Sequence, residues 1–370
     1  MVKFLSLKLP KLDLLSLGAA LGLATIGFST IQSTILAGGE SESIIKVQVL
    51  AFVLGLAVFW FIYSLDFRFF SFLSLPFYLF TVASLLLLFV FGENIRGSIR
   101  WFNFGNFLFQ PSEMAKPFLI VSFCAFLDFF KERINQWKIL IFLVSLAALP
   151  LVLILKQPDF GTFIIVTFGL TILFFVSPLK WSRWFPIFLA TLALLPLFYL
   201  SLAPYQKMRV QTFFNPQSDL LGSGYNVIQS KIAVGSGELW GRGWGRGTQS
   251  SLRFLPERHT DFIFATYAEE TGFVGSLFLL LLYVVIFIRS LVVLIRSDNL
   301  LGSLLVLGSM GAIFSQAAIN IGMNIGLLPV TGIPLPLVSY GGSQMVTTFF
   351  LLGIIASVAK GNGTVYNTES

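Results

Sequence analysis

Long apolar runs, separated by short polar stretches, follow one another along almost the whole chain. About 20 consecutive apolar residues suffice for an α-helix to cross the hydrocarbon core of a bilayer. Runs that reach or approach this length lie at 12–37, 47–65, 70–91, 113–130, 138–155, 160–178, 183–203, 262–288, 300–327 and 340–359. The pattern predicts an all-α, polytopic membrane protein with about ten transmembrane helices, although the fourth to sixth runs could instead be re-entrant.

The composition supports a membrane protein. Of the 370 residues, 56% are hydrophobic and 11% are charged, and the mean hydropathy is +0.87, whereas about 25% of the residues of a soluble domain are charged. So few polar groups cannot cover a water-exposed surface, and the surface must therefore face lipid. The formal net charge of +7 is explained by the basic loops that orient membrane proteins, so no nucleic-acid partner is predicted. The single cysteine, Cys124, argues against a disulfide framework and a Cys-based metal site.

The loops indicate which side of the membrane each end of the chain occupies. With an even number of spans both termini lie on one side, and the Lys and Arg residues of the short loops predict that this side is cytoplasmic. The extracytoplasmic side then receives the segments 92–112, 156–160, 204–260 and 328–339. We predict a single membrane domain over 1–370, with 204–260 as a long extracytoplasmic loop before the eighth helix. Residues 225–233 of this loop have the periodicity of an amphipathic helix at the membrane interface.

A polar island at 250–261 precedes the eighth apolar run and holds the only histidine of the chain, His259. Ionisable groups near hydrocarbon are costly and usually functional, so Asp261, at the mouth of this span, is the first candidate for chemistry. A lone histidine is more typical of a hydrogen-bonded structural residue than of a metal ligand. Glu269 and Glu270 lie two turns into the same span, and we expect at least one of them to be the buried partner of a basic residue.

Two further clusters fall on the extracytoplasmic side. Arg100, Glu113 and Lys116 crowd the mouth of the fourth span, where Ser112 is a candidate helix cap and Glu113 would lie in the first turn. Asp159 lies in a tight turn between the fifth and sixth spans and could simply cap the next helix. Caps explain part of each cluster, but they do not explain three charged side chains at one span mouth.

The fourth cluster, 320–343, contains three prolines and several glycines at the end of a span. These residues break a helix, and the freed backbone groups need a polar cavity or a protein cover at membrane depth. The segment therefore favours a re-entrant loop that lines a cavity, with Ser343 at its far end.

Together these motifs resemble the SEDS family of cell-wall polymerases, whose members include RodA and FtsW. The resemblance covers nearly the whole chain and rests on Pro-Glu-Arg-His-Thr-Asp at 256–261, Gln-Pro-Asp at 157–159 and Pro-Leu-Val-Ser-Tyr-Gly-Gly-Ser at 336–343. Residues 324–336 look like RodA rather than FtsW. The departures are Gln344, where the family usually has a second serine, and Ser98, where alanine is common.

The resemblance implies a peptidoglycan glycosyltransferase of the bacterial cytoplasmic membrane that polymerises lipid II, an undecaprenyl-pyrophosphate-linked disaccharide peptide, for rod shape. It implies that Asp261 is the essential acid, which suits a general base for the acceptor hydroxyl, and that attack inverts the MurNAc anomeric carbon. Cations would hold the pyrophosphate. The candidate substrate-binding residues are Arg100, Glu113, Lys116, Asp159, Arg209, Arg258 and Ser343, with Arg209 and Arg258 as alternatives for one role.

The resemblance also implies partners: membrane lipids and a class B penicillin-binding protein that cross-links the new glycan. No metal-ligating cluster is predicted, but a Mg²⁺ or Mn²⁺ ion could bridge the pyrophosphate and Asp159 or Asp261. Two other functions stay open. A lipid II flippase would need polar sites on both faces or at the midplane, and a non-catalytic scaffold would tolerate loss of the Asp261 charge.

Overall fold

The structure is a computed structural model that describes residues 13–38, 41, 43–95, 98–103, 108–187, 189, 204–219, 222–252 and 254–365. The long helices are α1 (Leu14–Gly38), α2 (Ser43–Ser64), α3 (Phe70–Phe91), α4 (Pro111–Phe129), α5 (Trp137–Lys156) and α6 (Phe160–Val176), followed later by α10 (Ile263–Ile295), α11 (Leu300–Asn324) and α12 (Gly342–Val365). The predicted all-α membrane fold is confirmed.

Seven helices in the described part of the chain are long and apolar enough to cross a membrane: α1, α2, α3, α5, α10, α11 and α12. Helix α6 is apolar but has only 17 residues, and α4 carries the charged residues Glu113, Lys116 and Asp128. A helical stretch at 181–187 covers the start of the predicted seventh span, 183–203, of which 188 and 190–203 lie outside the described residues. The count of ten spans therefore stays a prediction.

The loop predicted at 204–260 contains helices of its own: α7 (Pro204–Phe214), α8 (Ser223–Ser236) and α9 (Thr248–Ser251). Helix α8 covers the stretch whose periodicity predicts an amphipathic helix. The loop between α3 and α4 contains a small antiparallel sheet that the sequence analysis did not predict, with β1 (Glu93–Ile95), β2 (Ser98–Asn103) and β3 (Leu108–Phe109) in the order β1-β2-β3. Glu93 pairs with Trp101 and Phe102 pairs with Phe109.

Helices α11 and α12 form the centre of the bundle, since 67% and 78% of their spans are buried, against 22% for α2. Helix α12 packs closely against α2 at two glycines. A Cβ on Gly55 would lie 2.5 Å from the Phe349 ring, and one on Gly353 would lie 2.9 Å from Ile62 Cβ. Small residues at such contacts let the helices approach without lipid between them.

Helix α10 is broken at Gly272, whose φ of 69° and ψ of −163° are not helical. The backbone N–H groups of Arg242 and Gly243 donate to the carbonyls of Glu269 and Glu270, each at 3.0 Å. Arg242 and Gly243 belong to a Gly-rich segment, 237–247, which we call the strap. A Cβ on Gly241, where φ is +79°, would lie 2.1 Å from the Glu270 carbonyl oxygen. The strap thus donates hydrogen bonds to backbone carbonyls next to the break. The absence of a side chain at Gly241 lets the strap lie this close to α10.

The two glutamates of α10, Glu269 and Glu270, accept hydrogen bonds from N–H and O–H groups. This differs from the prediction that at least one of them is the buried partner of a basic residue. Glu269 caps α9, because its carboxylate accepts from the backbone N–H groups of Gln249 and Ser250 at 2.9 and 3.2 Å. Glu270 accepts from the Ser33 hydroxyl of α1 and from the Gly245 N–H. Both side chains therefore tie the loop before Asp261 to the bundle.

Candidate functional site

The four polar clusters that the sequence assigns to one side meet at one end of the helical bundle. Arg100 of β2 donates to the carbonyls of Gln157 and Pro158, and the Ser339 hydroxyl donates to the Thr260 carbonyl at 2.6 Å. The segment 331–334 joins the clusters: a Cβ on Gly161, at the start of α6, would lie 2.5 Å from Ile333 Cγ1. We call this surface the polar end of the bundle.

Asp261 and Arg209 converge on Gly332. A Cβ built on Gly332 would lie 3.5 Å from Asp261 Oδ2 and 3.7 Å from Arg209 Nη1. Gly332 has a φ of +73°, a conformation that side chains other than glycine adopt rarely. Both charged side chains are partly exposed. The polar end therefore presents a carboxylate and a guanidinium together at an accessible point.

The turn that carries Asp261 is held by its backbone carbonyls. The His259 carbonyl accepts from the Tyr340 N–H at 2.8 Å, and the Thr260 carbonyl accepts from Ser339. The Ser339 hydroxyl also accepts from the Leu335 N–H at 2.7 Å. The loop before α12 thus fixes the backbone of the turn next to Asp261.

The two arginines that the sequence analysis leaves as alternatives have different environments. Arg209 reaches Gly332 from α7, whereas Arg258 is 2% exposed. The Arg258 guanidinium donates to the backbone carbonyls of Ser250 and Thr34. This geometry favours Arg209 for contact with a ligand and Arg258 for holding α9 and α1 against the Asp261 turn.

Asp159 is the centre of a second cluster and caps α6. Its Oδ1 accepts from the Thr162 N–H at 3.2 Å, and its Oδ2 accepts from the Ser112 hydroxyl at 2.7 Å and from Gln110 Nε2 at 3.0 Å. Ser112 is the second residue of α4, and the N-cap of α4 is Gln110. The prediction that Ser112 caps α4 is therefore wrong.

The charge balance around Asp159 lowers its pKa. Burial alone raises the pKa of this carboxyl group, but the positive charge of Arg100 and the hydrogen bonds from Ser112 and Thr162 outweigh burial, and the net pKa lies below the ordinary value. The cluster therefore holds Asp159 as a carboxylate.

A stability measurement tests this ionised state. A carboxylate with a lowered folded-state pKa stabilises the protein above its unfolded pKa of about 4, and this stabilisation is lost as the pH falls through the folded pKa. We expect the wild type to melt at a higher temperature than Asp159→Asn at pH 7, and the difference to shrink below about pH 4. A difference that stays constant from neutral to acidic pH would show that the Asp159 charge does not contribute.

Glu113 and Lys116 form a buried ion pair inside α4, with 2.7 Å between Glu113 Oε2 and Lys116 Nζ. Lys116 also donates to Gln316 Oε1 at 3.0 Å, and Gln316 donates to the Pro334 carbonyl at 3.0 Å. A buried network therefore connects the pair to the segment that carries Gly332. Ser343, the second residue of α12, is buried beside Gln344, whose Nε2 also donates to the Pro334 carbonyl at 3.3 Å.

Comparison with known proteins identifies the family. The sequence model of the FtsW, RodA and SpoVE family, described as cell cycle protein, matches residues 11–363. The chain belongs to this family. It is 42% identical to the peptidoglycan glycosyltransferase MrdB of Escherichia coli strain K12, over 287 residues that cover 76% of each chain. It is 36% identical to stage V sporulation protein E of Bacillus subtilis strain 168, over 71% of this chain and 72% of that protein.

Solved structures agree with this FtsW/RodA/SpoVE assignment. A chain of a peptidoglycan synthase complex that coordinates polymerization and crosslinking matches with a TM-score of 0.80 and 29% identity, over 95% of this chain and 98% of that chain. The crystal structure of the Thermus thermophilus rod shape determining protein RodA matches with a TM-score of 0.69 and 28% identity, over 95% and 97% of the two chains. The resemblance stated from the motifs is confirmed.

Three amide side chains of α11 in this family member were not predicted from the sequence as site residues: Gln316, Asn320 and Asn324. They follow one another at a spacing of four residues, and such residues share one face of a helix. Asn320 donates to the Ile333 carbonyl at 2.7 Å and to the Asp261 carbonyl at 2.9 Å. Amides repeated on one face of an apolar span are the signal that could have revealed them, because buried amides need hydrogen-bond partners.

Within the described residues of this FtsW/RodA/SpoVE protein, no group of three or more His, Cys, Asp or Glu residues could hold a metal ion. The oxygens of Asp159 already accept hydrogen bonds from three donors. A cation bound by protein side chains alone does not fit there.

Proposed function

We infer that this multi-pass membrane protein is a peptidoglycan glycosyltransferase. The observation that carries the inference is the pair formed by the Asp261 carboxylate and the Arg209 guanidinium at Gly332, at the accessible polar end of the bundle. A glycosyl transfer from a pyrophosphate needs these two functions, a base for the acceptor and a cation for the leaving group. The naming of MrdB as a peptidoglycan glycosyltransferase supports the same activity.

The proposed substrate is lipid II, and the proposed site is the outer face of the bacterial cytoplasmic membrane. Asp261 removes the proton of the GlcNAc 4-hydroxyl of one substrate. The resulting oxygen attacks the MurNAc anomeric carbon of another, and the bond between that carbon and the pyrophosphate oxygen breaks. The pyrophosphate leaves with both electrons of this bond, and Arg209 balances part of its charge. Attack from the face opposite the leaving group inverts the anomeric carbon from α to β.

Other predicted binding residues have positions that favour support of this site. Arg100 donates to two backbone carbonyls of the 157–158 turn, and Lys116 is paired with Glu113. We propose that Arg100 and Lys116 hold the loops around the substrate. Direct contact of either with pyrophosphate, and substrate contacts of Glu113, Asp159, Arg258 and Ser343, remain predictions.

A divalent cation is proposed to accompany the substrate. Pyrophosphate carries more negative charge than the single guanidinium of Arg209 can balance, and Mg²⁺ or Mn²⁺ commonly binds substrate phosphates with one or two carboxylates. Asp261 is a partly exposed carboxylate at this end of the bundle and is proposed to complete the ion's shell. We expect EDTA to lower polymerisation and added Mg²⁺ or Mn²⁺ to restore it, measured on purified protein with labelled lipid II. Full activity in EDTA would contradict this proposal.

The proposed partner is a class B penicillin-binding protein, a transpeptidase that cross-links the new strand. The match to a chain of a complex that coordinates polymerization and crosslinking supports this pairing. A lipid II flippase fits less well, because a transporter needs matched polar sites at the midplane or on both faces, whereas the site residues that the structure describes gather at one end.

The decisive experiment is incubation of the purified protein with labelled lipid II, followed by separation of the products on a glycan-ladder gel. We expect a ladder of strands from the protein alone or with its cross-linking partner. Absence of strands under both conditions, with folded protein and intact substrate, would reject the glycosyltransferase.

Arg209→Lys tests the role of the guanidinium. Lysine keeps the charge but replaces a planar, bidentate guanidinium with a point charge. We therefore expect slower polymerisation and weaker binding of lipid II. Arg246→Lys is a matched control, because Arg246 is an exposed arginine of the same loop, and it should behave as the wild type. Equal rates for both variants would remove Arg209 from the pyrophosphate site.

A further inference from the structure

The start of α10 is capped by a side chain from another helix. The N-cap residue, Phe262, makes no side-chain hydrogen bond, so the first N–H groups of α10 need other acceptors. The Ala265 N–H donates to Asn324 Oδ1 of α11 at 3.2 Å. The same amide donates through Nδ2 to the Asp261 carbonyl at 3.0 Å. Asn324 therefore bridges the first turn of α10 and the residue that precedes the cap.

This bridge takes the place of a helical hydrogen bond. If α10 began one residue earlier, the Ala265 N–H would donate directly to the Asp261 carbonyl, because helical bonds join residues four apart. A carboxamide can replace that bond because it has a donor and an acceptor. Its orientation follows from its partners, since a backbone N–H only donates and a carbonyl only accepts. Asn324 thereby keeps Asp261 out of the first turn of α10.

Asn320, one turn earlier on α11, connects the Asp261 backbone to the loop that carries Gly332. Its Nδ2 donates both to the Asp261 carbonyl and to the Ile333 carbonyl, and Ile333 follows Gly332. Both asparagines are fully buried, and Asn324 Nδ2 also donates to the Asn320 carbonyl at 2.8 Å. The pair therefore sets the distance between the Asp261 backbone and the loop that its carboxylate faces.

We propose that Asn324 and Asn320 are positioning residues for Asp261, an inference that rests on the proposed function of Asp261 as the base. Neither contacts the substrate in this proposal. Without the Asn324 bridge, Asp261 joins the first turn of α10, and its carboxylate turns away from Arg209 and Gly332. A misplacement of about 1 Å can slow a reaction by about 10²-fold.

Asn324→Asp and Asn320→Asp test the proposal, because aspartate has the same size but no N–H donor when it is ionised. We expect kcat for labelled lipid II to fall by about 10- to 100-fold, with KM unchanged. Asn299→Ala is the matched control: Asn299 caps the opposite end of α11 by accepting from the Leu301 N–H at 2.9 Å. This control weakens the same helix without touching Asp261, so kcat should not change.

A second variant covers the case in which the aspartate variants do not fold. Asn324→Gln keeps the donor and the acceptor but is one methylene longer, so it should fold with a lower kcat and the same KM. Wild-type kcat in folded variants, or a change confined to KM, would overturn the positioning role. The proposed function fails separately, through activity of Asp261→Asn, and the two failures are therefore distinguishable.

Discussion

Replacing Asp261 with asparagine is expected to lower glycan polymerisation by about 10²- to 10⁴-fold, the range typical for loss of a general base. Asparagine has almost the same shape but cannot accept the proton of the acceptor hydroxyl. Folding should survive, because Asn320 and Asn324 bind the backbone carbonyl of residue 261 and not its side chain. The measurement is the initial rate of strand formation from labelled lipid II, beside the melting temperature.

Asp128→Asn provides the control for this experiment. Asp128 lies near the opposite end of α4 and pairs with Lys131 at 3.2 Å, with both side chains partly exposed. This variant loses a carboxylate far from the polar end and should polymerise as the wild type does. Near-normal strands from Asp261→Asn would show that another group accepts the proton, whereas loss of activity in both variants would point to a general effect of charge.

The sequence could single out Asp261 as a candidate but could not choose between the two candidate arginines. A charged cluster at the mouth of an apolar run is costly and therefore visible in the sequence. Arg258 is near Asp261 in the chain, yet its guanidinium is buried against backbone carbonyls. Arg209 is distant in the chain, yet it lies at Gly332. Side-chain direction at these positions depends on long-range packing of α7 and α9, which local pattern does not encode.

Backbone irregularities were also beyond the sequence pattern. The long apolar run predicts α10. Because glycine is common in transmembrane helices, Gly272 does not by itself predict a break in this helix. The break is stable because the strap supplies N–H donors to the carbonyls of Glu269 and Glu270. The small sheet at 93–109 is also hard to predict, since β1 and β3 have only three and two residues, too few for a clear alternation. The break at Gly272 requires knowledge of which distant segments meet, whereas the sheet joins strands that are neighbours in the chain.

Replacing Lys116 with methionine is expected to destabilise the protein by about 3–5 kcal/mol, because it leaves the buried carboxylate of Glu113 without its partner. Both side chains of the pair are almost completely buried, with exposures of 2% and 7%. The exposed pair of Asp128 and Lys131 has the same spacing, so Lys131→Met is a matched control and should cost about 0–1 kcal/mol. Thermal unfolding in detergent measures both effects.

The double variant Lys116→Met, Glu113→Gln separates the two possible roles of Lys116. Removing both charges eliminates the uncompensated carboxylate, so most of the lost stability should return. If Lys116 only supports the Pro334 segment through Gln316, polymerisation should return in proportion to stability. If its ammonium group instead contacts pyrophosphate, the double variant will fold but remain inactive. Recovery of stability without recovery of activity would therefore reject the supporting role and return Lys116 to the substrate site.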